Sequence, residues 1–157
     1  MKQKILFVCL GNICRSPAAD GLLHALAAER GLSDALEIDS AGTYAGHAGE
    51  LPDARMRSAA ARRGYSLTHR SRPVDMDDFF HFDRIIAMDD NNLENLRRMA
   101  PSPQAEAKIE RFAALCKSYE DVHYIPDPYY GGRDGFDHVL DLLEDGCRTI
   151  LDAYEGQ

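Results

Sequence analysis

Short apolar segments alternate with helical patterns along this chain, and that alternation restricts the fold more than any other feature of the sequence. Strands are predicted over residues 4–9 (KILFVC), 36–39 (LEID), 84–88 (RIIAM) and within 108–115. Consecutive parallel strands need long crossover connections, which are usually helices. The order of the elements therefore predicts an α/β fold with a parallel sheet that is covered by helices on both faces.

Four helical segments connect these strands or follow them. The first is predicted over residues 17–30, with Ser16 as its N-cap and Pro17 at its first position. Two more are predicted over 52–64 and 92–99. The clearest helix is the last, whose apolar stripe at helical spacing consists of Phe136, Val139, Leu140, Leu143, Cys147, Ile150, Leu151 and Tyr154.

Length and charge restrict the class of protein. The chain has 157 residues, which suits one domain over residues 1–157 with a full hydrophobic core. No apolar run approaches the roughly 18 residues of a membrane span, and the first run is too short for a secretory signal. We therefore expect a cytoplasmic protein that binds no membrane. The formal net charge of −8 argues against a nucleic-acid partner, and an anionic substrate would need a local positive site.

Two of the four cysteines lie in the tight turn between the first strand and the first helix, in the stretch FVCLGNICRSP. The other two, Cys116 and Cys147, sit within apolar patterns and are predicted to be buried. Backbone N–H groups in such a turn can converge on one point, and the helix adds its unpaired N–H groups and positive dipole end. Gly11 permits a close backbone approach, and Asn12 tolerates the left-handed region. The turn therefore predicts a binding site for an anion.

Arg15 and Cys9 indicate which chemistry this anion site performs. The planar guanidinium of Arg15 can hold two oxygens of a phosphate at once, which an ammonium group does less well. Cations and helix N-termini favour the thiolate form of Cys9, and Ser16 can donate a hydrogen bond to that sulfur. The spacing Cys-x5-Arg-Ser lacks the Lys of a nucleotide-binding P-loop. It predicts instead a nucleophile that is placed to attack phosphorus.

Cleavage of a phosphate ester also needs a proton for the leaving group and then a base, and one carboxylic acid can serve both steps. Asp127 lies between two prolines in the segment YIPDPYYGG, so the backbone on either side of it is stiff. Tyr129 and Tyr130 follow it. From these residues alone, an acid beside an aromatic leaving group and an ordinary Asp-Pro turn with surface tyrosines are equally well supported.

The sequence resembles the low-molecular-weight protein tyrosine phosphatases in three motifs: VCLGNICRSP at residues 8–17, DSAG at 39–42 and DPYYGG at 127–132. Their order and the total length also fit, so the resemblance covers nearly the whole chain. It implies a three-layer fold with a four-stranded parallel sheet. It also implies a hydrolase that cleaves phosphotyrosine and aryl phosphate monoesters through a phosphocysteine, without a cofactor. The implied partner is a phosphotyrosine-containing protein, of which a tyrosine kinase is one example, and phosphoarginine is the alternative substrate.

The resemblance assigns roles to single residues. Cys9 matches the nucleophile, Arg15 the phosphate clamp and Asp127 the general acid and later base. The polar network that shapes the loop and tunes the thiolate is matched by Asn12, Ser16, Ser40 and His69. Tyr129 and Tyr130 match a wall of the substrate cleft. We also predict that substrate is bound by the loop residues Leu10, Gly11, Asn12, Ile13 and Cys14 and, on the opposite side of the cleft, by Tyr44 and His47.

Gly46 departs from the pattern of the family, which usually has Trp or Tyr six residues after the Ser of the DSAG stretch. We expect Tyr44 or His47 to supply the missing face. Without them the cleft is wider on one side and binds phosphotyrosine more weakly.

Cys14 lies in the same loop as Cys9, and we expect it to trap an oxidised Cys9 as a disulfide, a role that the resemblance supports. Packing within the loop is the alternative role of Cys14.

Three other activities fit parts of the pattern. A thioredoxin-coupled arsenate reductase shares the fold and the loop but needs two further accessible cysteines, and residues 80–100 contain none. A phosphocysteine carrier would not need Arg15 or a hydrolytic Asp, and an inactive phosphate-binding module would not need Cys9. No metal is predicted, because the six histidines show no ligand spacing and because Arg15 and backbone N–H groups can meet the phosphate charge.

Overall fold

Four parallel strands form one sheet in the computed structural model of this chain, which describes residues 2–129 and 131–157 without the side chain of Arg133. The strands are β1 (Gln3–Cys9), β2 (Leu36–Gly42), β3 (Arg84–Ala87) and β4 (Ile109–Arg111). Their order across the sheet is β2-β1-β3-β4, and each neighbouring pair is parallel. The predicted α/β class with a four-stranded parallel sheet is confirmed.

Six helices flank the sheet in the described part of the chain: α1 (Arg15–Glu29), α2 (Ala54–Ala61), α3 (Asp78–His81), α4 (Asp90–Met99), α5 (Pro103–Glu106) and α6 (Arg133–Glu155). The helices α1, α2, α4 and α6 match the four predicted segments. The helices α3 and α5 were not predicted, because four residues are too few to show a helical period. A 3₁₀ turn over Phe112–Leu115 limits the fourth strand to three residues.

The central strand β1 is covered on both faces. Ile5, Leu6, Phe7 and Val8 are all fully buried. Because successive side chains of a strand point to opposite faces, Ile5 and Phe7 pack with residues of α1 and α6, whereas Leu6 and Val8 pack with residues of α3 and α4. A continuous apolar run, and not an alternating one, is what a parallel strand between two helical layers requires.

The last helix, α6, packs its predicted apolar stripe against α1 and the 3₁₀ turn Phe112–Leu115. Gly146 permits a close contact there, because a Cβ at this position would lie 2.2 Å from Cε1 of Phe112, whose side chain is fully buried. Among the described residues, none of the helices, including α6 with its 23 residues, has the length and apolar character that crossing a membrane demands.

The start of α1 differs from the prediction. The helix begins at Arg15 with Cys14 as its N-cap, so Ser16 lies inside the first turn and Pro17 is the third helical residue. The hydroxyl of Ser16 does not cap the helix, because it bonds to Cys9 and Asn12. Pro17 is tolerated at this position because N–H groups of the first turn have no partner within the helix.

Candidate active site

The loop of residues 10–14 connects β1 to α1 at the carboxyl end of the sheet, where parallel α/β sheets bind ligands. The chain that leaves β2 runs beside this loop, and the backbone N of Thr43 donates to the carbonyl of Cys9 at 3.0 Å. Gly42 makes the approach possible, because a Cβ there would lie 2.6 Å from the carbonyl oxygen of Leu10. The glycine of the DSAG motif is therefore required sterically by the loop beside it.

Cys9 is the last residue of β1, and its side chain lies at the base of the cleft that this loop borders. Only 2% of the residue is exposed. Its Sγ lies 2.9 Å from Oγ of Ser16 and accepts a hydrogen bond from the backbone N of Ser16 at 3.4 Å. Hydrogen-bond donors of this kind stabilise a sulfur anion more than a neutral thiol.

Asn12 fixes the shape of the loop. Its φ of 56° lies in the left-handed region, which the sequence allows for because Asn tolerates it. The side chain is fully buried, and Nδ2 donates to Oγ of Ser16 at 2.7 Å and of Ser40 at 3.1 Å. Its Oδ1 accepts from Nε2 of His69 and from the backbone N of Arg72, both at 3.0 Å. All donors and acceptors of the amide are used, so its orientation is determined.

His69 extends this network to two carboxylates. Its Nδ1 lies 3.5 Å from Oδ2 of Asp20 and 3.4 Å from Oδ1 of Asp39, and Asp20 also accepts from Oγ of Ser40 at 3.0 Å. The ligand atoms of Asp20, Asp39 and His69 lie within 4.8 Å of one another, which is close enough to hold one metal ion. Protein groups already contact these carboxylates, because Asp39 also pairs with Nη2 of Arg72 at 2.9 Å.

Arg15 is nearly fully buried and lines the cleft. Its Nη1 donates to Oδ2 of Asp89 at 2.6 Å and to the carbonyl of Ile125 at 2.9 Å, and Nη2 lies 3.6 Å from Oδ2 of Asp127. Burial alone would lower the pKa of Arg15, but negative charge at Cys9 and the hydrogen bond to Asp89 raise it above its ordinary value. The guanidinium is therefore a cation that protein groups hold in place.

Asp127 lies at the edge of the cleft, with 36% of its side chain exposed. Its Oδ1 accepts a hydrogen bond from the backbone N of Tyr129 at 3.0 Å. Arg55 holds the same segment, because its Nη2 donates to the carbonyl of Tyr129 at 2.9 Å and its guanidinium carbon lies 5.3 Å from the centroid of that ring. The acid and the adjacent aromatic side chain are thus anchored to α2.

The cleft has a volume of about 150 Å³ and brings together most of the predicted site. Its lining residues are Cys9, Leu10, Gly11, Ile13, Cys14, Arg15, Tyr44, His47, Asp127 and Tyr129. Asn12, Ser16, Ser40 and His69 do not line it but form the connected network beside the loop. Tyr130 lies outside the described residues.

Tyr44 occupies the side of the cleft where Gly46 replaces the usual aromatic residue. A Cβ on Gly46 would lie 2.2 Å from atoms of the Tyr44 ring, so this ring fills the space beside the glycine. The ring of His47 lies edge-on to Tyr44 with 6.2 Å between centroids, and 6.4 Å from the ring of Tyr129. Three rings therefore border the cleft, including both residues that the sequence predicts for the missing face.

All four cysteines are buried and carry free thiols. Burial and the nearby charges of Asp53 and Cys9 raise the pKa of Cys14, so this thiol is neutral at pH 7. Burial raises the pKa of Cys116 to about 12 and raises that of the fully buried Cys147 as well. The predicted burial of Cys116 and Cys147 is confirmed.

Two residues of the site were not found from the sequence. Asp89 holds Arg15 and follows the predicted third strand, so it lies at the same edge of the sheet as Cys9. Its position after that strand could have indicated it from the sequence. Arg55 gave no such signal, because its contact with Tyr129 joins residues 74 positions apart. The cluster around His69 was also missed, because its three members are distant in sequence.

Comparison with known proteins gives consistent matches over the whole chain. The family model described as low molecular weight phosphotyrosine protein phosphatase matches residues 4–156. A Synechocystis relative is 45% identical, with 95% of this chain and 94% of its own length covered. The low molecular weight protein-tyrosine-phosphatase of Streptomyces coelicolor is 39% identical, with coverage of 100% and 96%. A crystal structure of a protein tyrosine phosphatase from Entamoeba histolytica has a TM-score of 0.94 and 42% identity, with coverage of 99% and 98%.

Proposed function

Because this chain belongs to the low molecular weight phosphotyrosine protein phosphatases, we propose that it hydrolyses phosphotyrosine in proteins, and aryl phosphate monoesters, through a phosphocysteine intermediate. One observation carries the proposal: Asp127 lines the same cleft as Cys9 and Arg15, although it is far from both of them in sequence. Transfer of a phosphoryl group to cysteine and its later hydrolysis need three components, namely a sulfur nucleophile, a fixed cation and a carboxyl group.

Substrate binding places the phosphate in the loop of residues 10–14. The guanidinium of Arg15 pairs with two phosphate oxygens, and backbone N–H groups of the loop and of the first turn of α1 donate to the others. Because Asp89 and Ile125 already hold Arg15, the substrate does not have to order this side chain. Fixed donors in a buried site stabilise the charge that develops on the phosphate more than mobile water does.

The first step transfers the phosphoryl group to sulfur. Sγ of Cys9 attacks phosphorus in line, and the S–P bond forms as the bond between phosphorus and the phenolic oxygen breaks. Asp127 in its protonated form gives its proton to the leaving oxygen, so the substrate tyrosine leaves as a neutral phenol.

The second step releases phosphate. The ionised Asp127 accepts a proton from a water molecule, the water oxygen bonds to phosphorus, and the S–P bond breaks to restore the thiolate of Cys9. The overall reaction consumes one water and one ester and yields one phenol and one inorganic phosphate. The hydrogen bonds from Ser16 stabilise the sulfur anion as leaving group in this step, as they do before the first step.

The walls of the cleft support an aromatic substrate. Tyr44, His47 and Tyr129 present rings around its mouth. The aromatic ring of a substrate inserted among them gains about 1 kcal/mol from aromatic contacts in addition to its burial. An alkyl phosphate has no ring and does not gain this energy. We infer that the partner is a protein that carries phosphotyrosine, with a tyrosine kinase as one member of that class.

Two variants test the chemistry. Cys9→Ser keeps the shape of the site but removes the thiolate, and we expect it to lower kcat by about 10⁴-fold or more. Asp127→Asn cannot donate a proton, so it should slow cleavage of phosphotyrosine more than cleavage of p-nitrophenyl phosphate, whose phenolate leaves without one. Turnover by Cys9→Ser at the parent rate, or an equal effect of Asp127→Asn on both substrates, would contradict the mechanism.

The competing activities give different results in the same assays. A phosphocysteine carrier or a phosphate-binding module would not release p-nitrophenol over many turnovers. An arsenate reductase that relays a disulfide needs accessible thiols, and burial of Cys116 and Cys147 supports the hydrolase instead. After rapid quenching of Asp127→Asn, mass spectrometry should detect one phosphoryl group on the peptide that contains Cys9.

We further propose that Cys14 protects Cys9 from irreversible oxidation. Peroxide converts the Cys9 thiolate to a sulfenic acid and releases hydroxide, and Cys14 then attacks that sulfur with loss of water to give a disulfide. Two electrons from a thiol reductant restore both thiols. Cys14→Ser should recover less activity than wild type after peroxide and then reductant, and equal recovery would contradict this role. The four free thiols support a reducing compartment, and we propose the cytoplasm.

A further inference from the structure

The stretch of residues 54–74 contains six arginines and no Asp or Glu, in a chain whose net charge is −8. Three of these arginines form ion pairs with carboxylates, namely Arg55, Arg63 and Arg72. The other three have no carboxylate within 4 Å in the part of the chain that the structure describes, and these are Arg57, Arg62 and Arg70. Positive charge without an internal partner is therefore concentrated on one segment of an acidic protein.

Backbone carbonyls position two of these guanidinium groups. Nε of Arg57 donates to the carbonyl of Pro52 at 2.9 Å, and Nη1 of Arg70 donates to the carbonyl of Gly49 at 2.9 Å. Both residues are exposed. Each guanidinium has five N–H donors, so most of the donors of Arg57 and Arg70 stay available to a ligand.

Arg57 and Arg70 line one groove of about 380 Å³, which we call the side groove. The side groove shares Ile13, His47 and Tyr129 with the cleft that contains Cys9, so the two depressions adjoin each other. A residue close in sequence to a bound phosphotyrosine can therefore reach the side groove. Arg62 lines a separate depression that has no lining residue in common with either one.

Two acidic residues, Glu50 and Asp53, also line the side groove, and both are paired. Oε2 of Glu50 lies 2.8 Å from Nδ1 of His47. Both carboxylate oxygens of Asp53 accept from Arg55, at 3.1 and 2.9 Å. Arg57 and Arg70 therefore contribute two positive charges to the side groove, against one carboxylate, that of Glu50, which no arginine pairs within the described residues.

We propose that the side groove binds an Asp or Glu side chain of the substrate next to its phosphotyrosine, with Arg57 and Arg70 as the carboxylate-binding residues. Guanidinium groups hold carboxylate oxygens with paired hydrogen bonds, which suits this ligand. The net charge of the protein repels acidic peptides, and a local positive groove beside the cleft overcomes that repulsion. The inference rests on the proposed phosphatase activity and narrows its substrates to acidic phosphotyrosine segments.

The experiment compares two phosphotyrosine peptides that differ only in having Glu or Gln at the flanking positions. The value of kcat/KM is measured for each peptide at low ionic strength and divided by that of the same protein for p-nitrophenyl phosphate, which has no flanking residue. We expect wild type to prefer the Glu peptide about tenfold, or about threefold for each guanidinium, and to lose most of this preference in high salt.

Matched variants locate the effect. The double variant Arg57→Gln, Arg70→Gln should show a ratio near one between kcat/KM for the Glu peptide and kcat/KM for the Gln peptide. The double variant Arg57→Lys, Arg70→Lys retains the charge and should keep a preference for the Glu peptide. Arg62→Gln removes an equally exposed charge of the same segment and should keep the tenfold ratio. Thermal unfolding of each variant shows that it is folded, and if the Gln pair is unstable, the single variants Arg57→Gln and Arg70→Gln replace it, each with an expected ratio of about three.

The outcomes separate the two proposals. The side groove would be overturned if wild type cleaved the Glu and Gln peptides equally well, or if the Gln pair kept the full preference of wild type for the Glu peptide. Hydrolysis of p-nitrophenyl phosphate would still support the phosphatase in either case. An equal loss of preference in Arg62→Gln would also overturn the side groove, because general surface charge would then explain the preference. If wild type does not hydrolyse p-nitrophenyl phosphate, both proposals are wrong.

Discussion

Replacement of Asn12 with Ala should destabilise the folded chain by about 3–8 kcal/mol. The substitution removes four hydrogen bonds from a fully buried side chain. The hydroxyls of Ser16 and Ser40 keep other partners, but Nε2 of His69 and the backbone N of Arg72 lose theirs. Each donor left without a partner costs about 1–3 kcal/mol, and Ala in the left-handed region costs about 1–2 kcal/mol more.

Asn12→Gly is the matched control for the backbone. It loses the same four hydrogen bonds, but Gly adopts the φ of 56° without steric cost. We therefore expect Asn12→Gly to be more stable than Asn12→Ala by about 1 kcal/mol. Urea unfolding followed by circular dichroism gives the free energy of unfolding of all three proteins, and equal slopes show that the comparison is valid.

The result that refutes this reasoning is a free energy of unfolding for Asn12→Ala within 1 kcal/mol of wild type. Such a value would mean that water or a shifted loop replaces the lost partners. If Asn12→Gly were no more stable than Asn12→Ala, the left-handed backbone would carry no cost. Because Asn12 also holds the hydroxyl that bonds to Cys9, kcat for p-nitrophenyl phosphate should fall in both variants.

Three further predictions concern other parts of the fold. Gly46→Ala should displace the exposed Tyr44 ring, raising KM for phosphotyrosine peptides about fivefold with little change in stability; an unchanged KM would contradict this. Gly146→Ala should lower the free energy of unfolding by about 1–2 kcal/mol, because the clash with buried Phe112 outweighs the gain of about 1 kcal/mol in helix propensity; a stabilised variant would contradict it. Burial raises the pKa of Cys147 above its ordinary 9.0, so above pH 9 the unfolded chain loses a proton that the folded chain keeps, and stability falls as pH rises. As the pH rises from 9 to 10, the free energy of unfolding of Cys147→Ala should fall by about 1 kcal/mol less than that of wild type. Urea unfolding at both pH values measures the two changes, and equal changes would contradict this.

The sequence predicted the elements whose residues share one local period. The apolar run of β1 and the stripe of α6 are long enough to indicate both their type and their burial. The fourth strand was predicted only as lying within residues 108–115, where it does lie, because Phe112–Leu115 is apolar in either a strand or a 3₁₀ turn and periodicity over so few residues does not separate the two. Ser16 was misassigned as an N-cap because the rule for caps considers only neighbours in sequence, whereas Cys9 and Asn12 compete for its hydroxyl.

The candidate site was predictable where its chemistry is local. The spacing of the residues in the turn that contains Cys9 and Arg15 predicts a binding site for an anion. The prolines beside Asp127 left an acid and an ordinary turn equally well supported, and only the resemblance to the family assigned its role. His69 entered only through the resemblance to the family, because nothing in its own segment points to Asn12, 57 positions away. The contact between Asp89 and Arg15 likewise exists only once β1 and β3 are side by side.

The immobility of Arg15 has a consequence for the end of the catalytic cycle. Because Arg15 is already held in place, its side chain loses no conformational entropy when the loop binds a phosphate group. This is equally true of free phosphate and of a phosphate ester. Inorganic phosphate should therefore compete with the ester for the loop, and so should other oxyanions of the same geometry. Discrimination between product and substrate then falls to the aromatic rim and to contacts beyond it, which free phosphate does not reach.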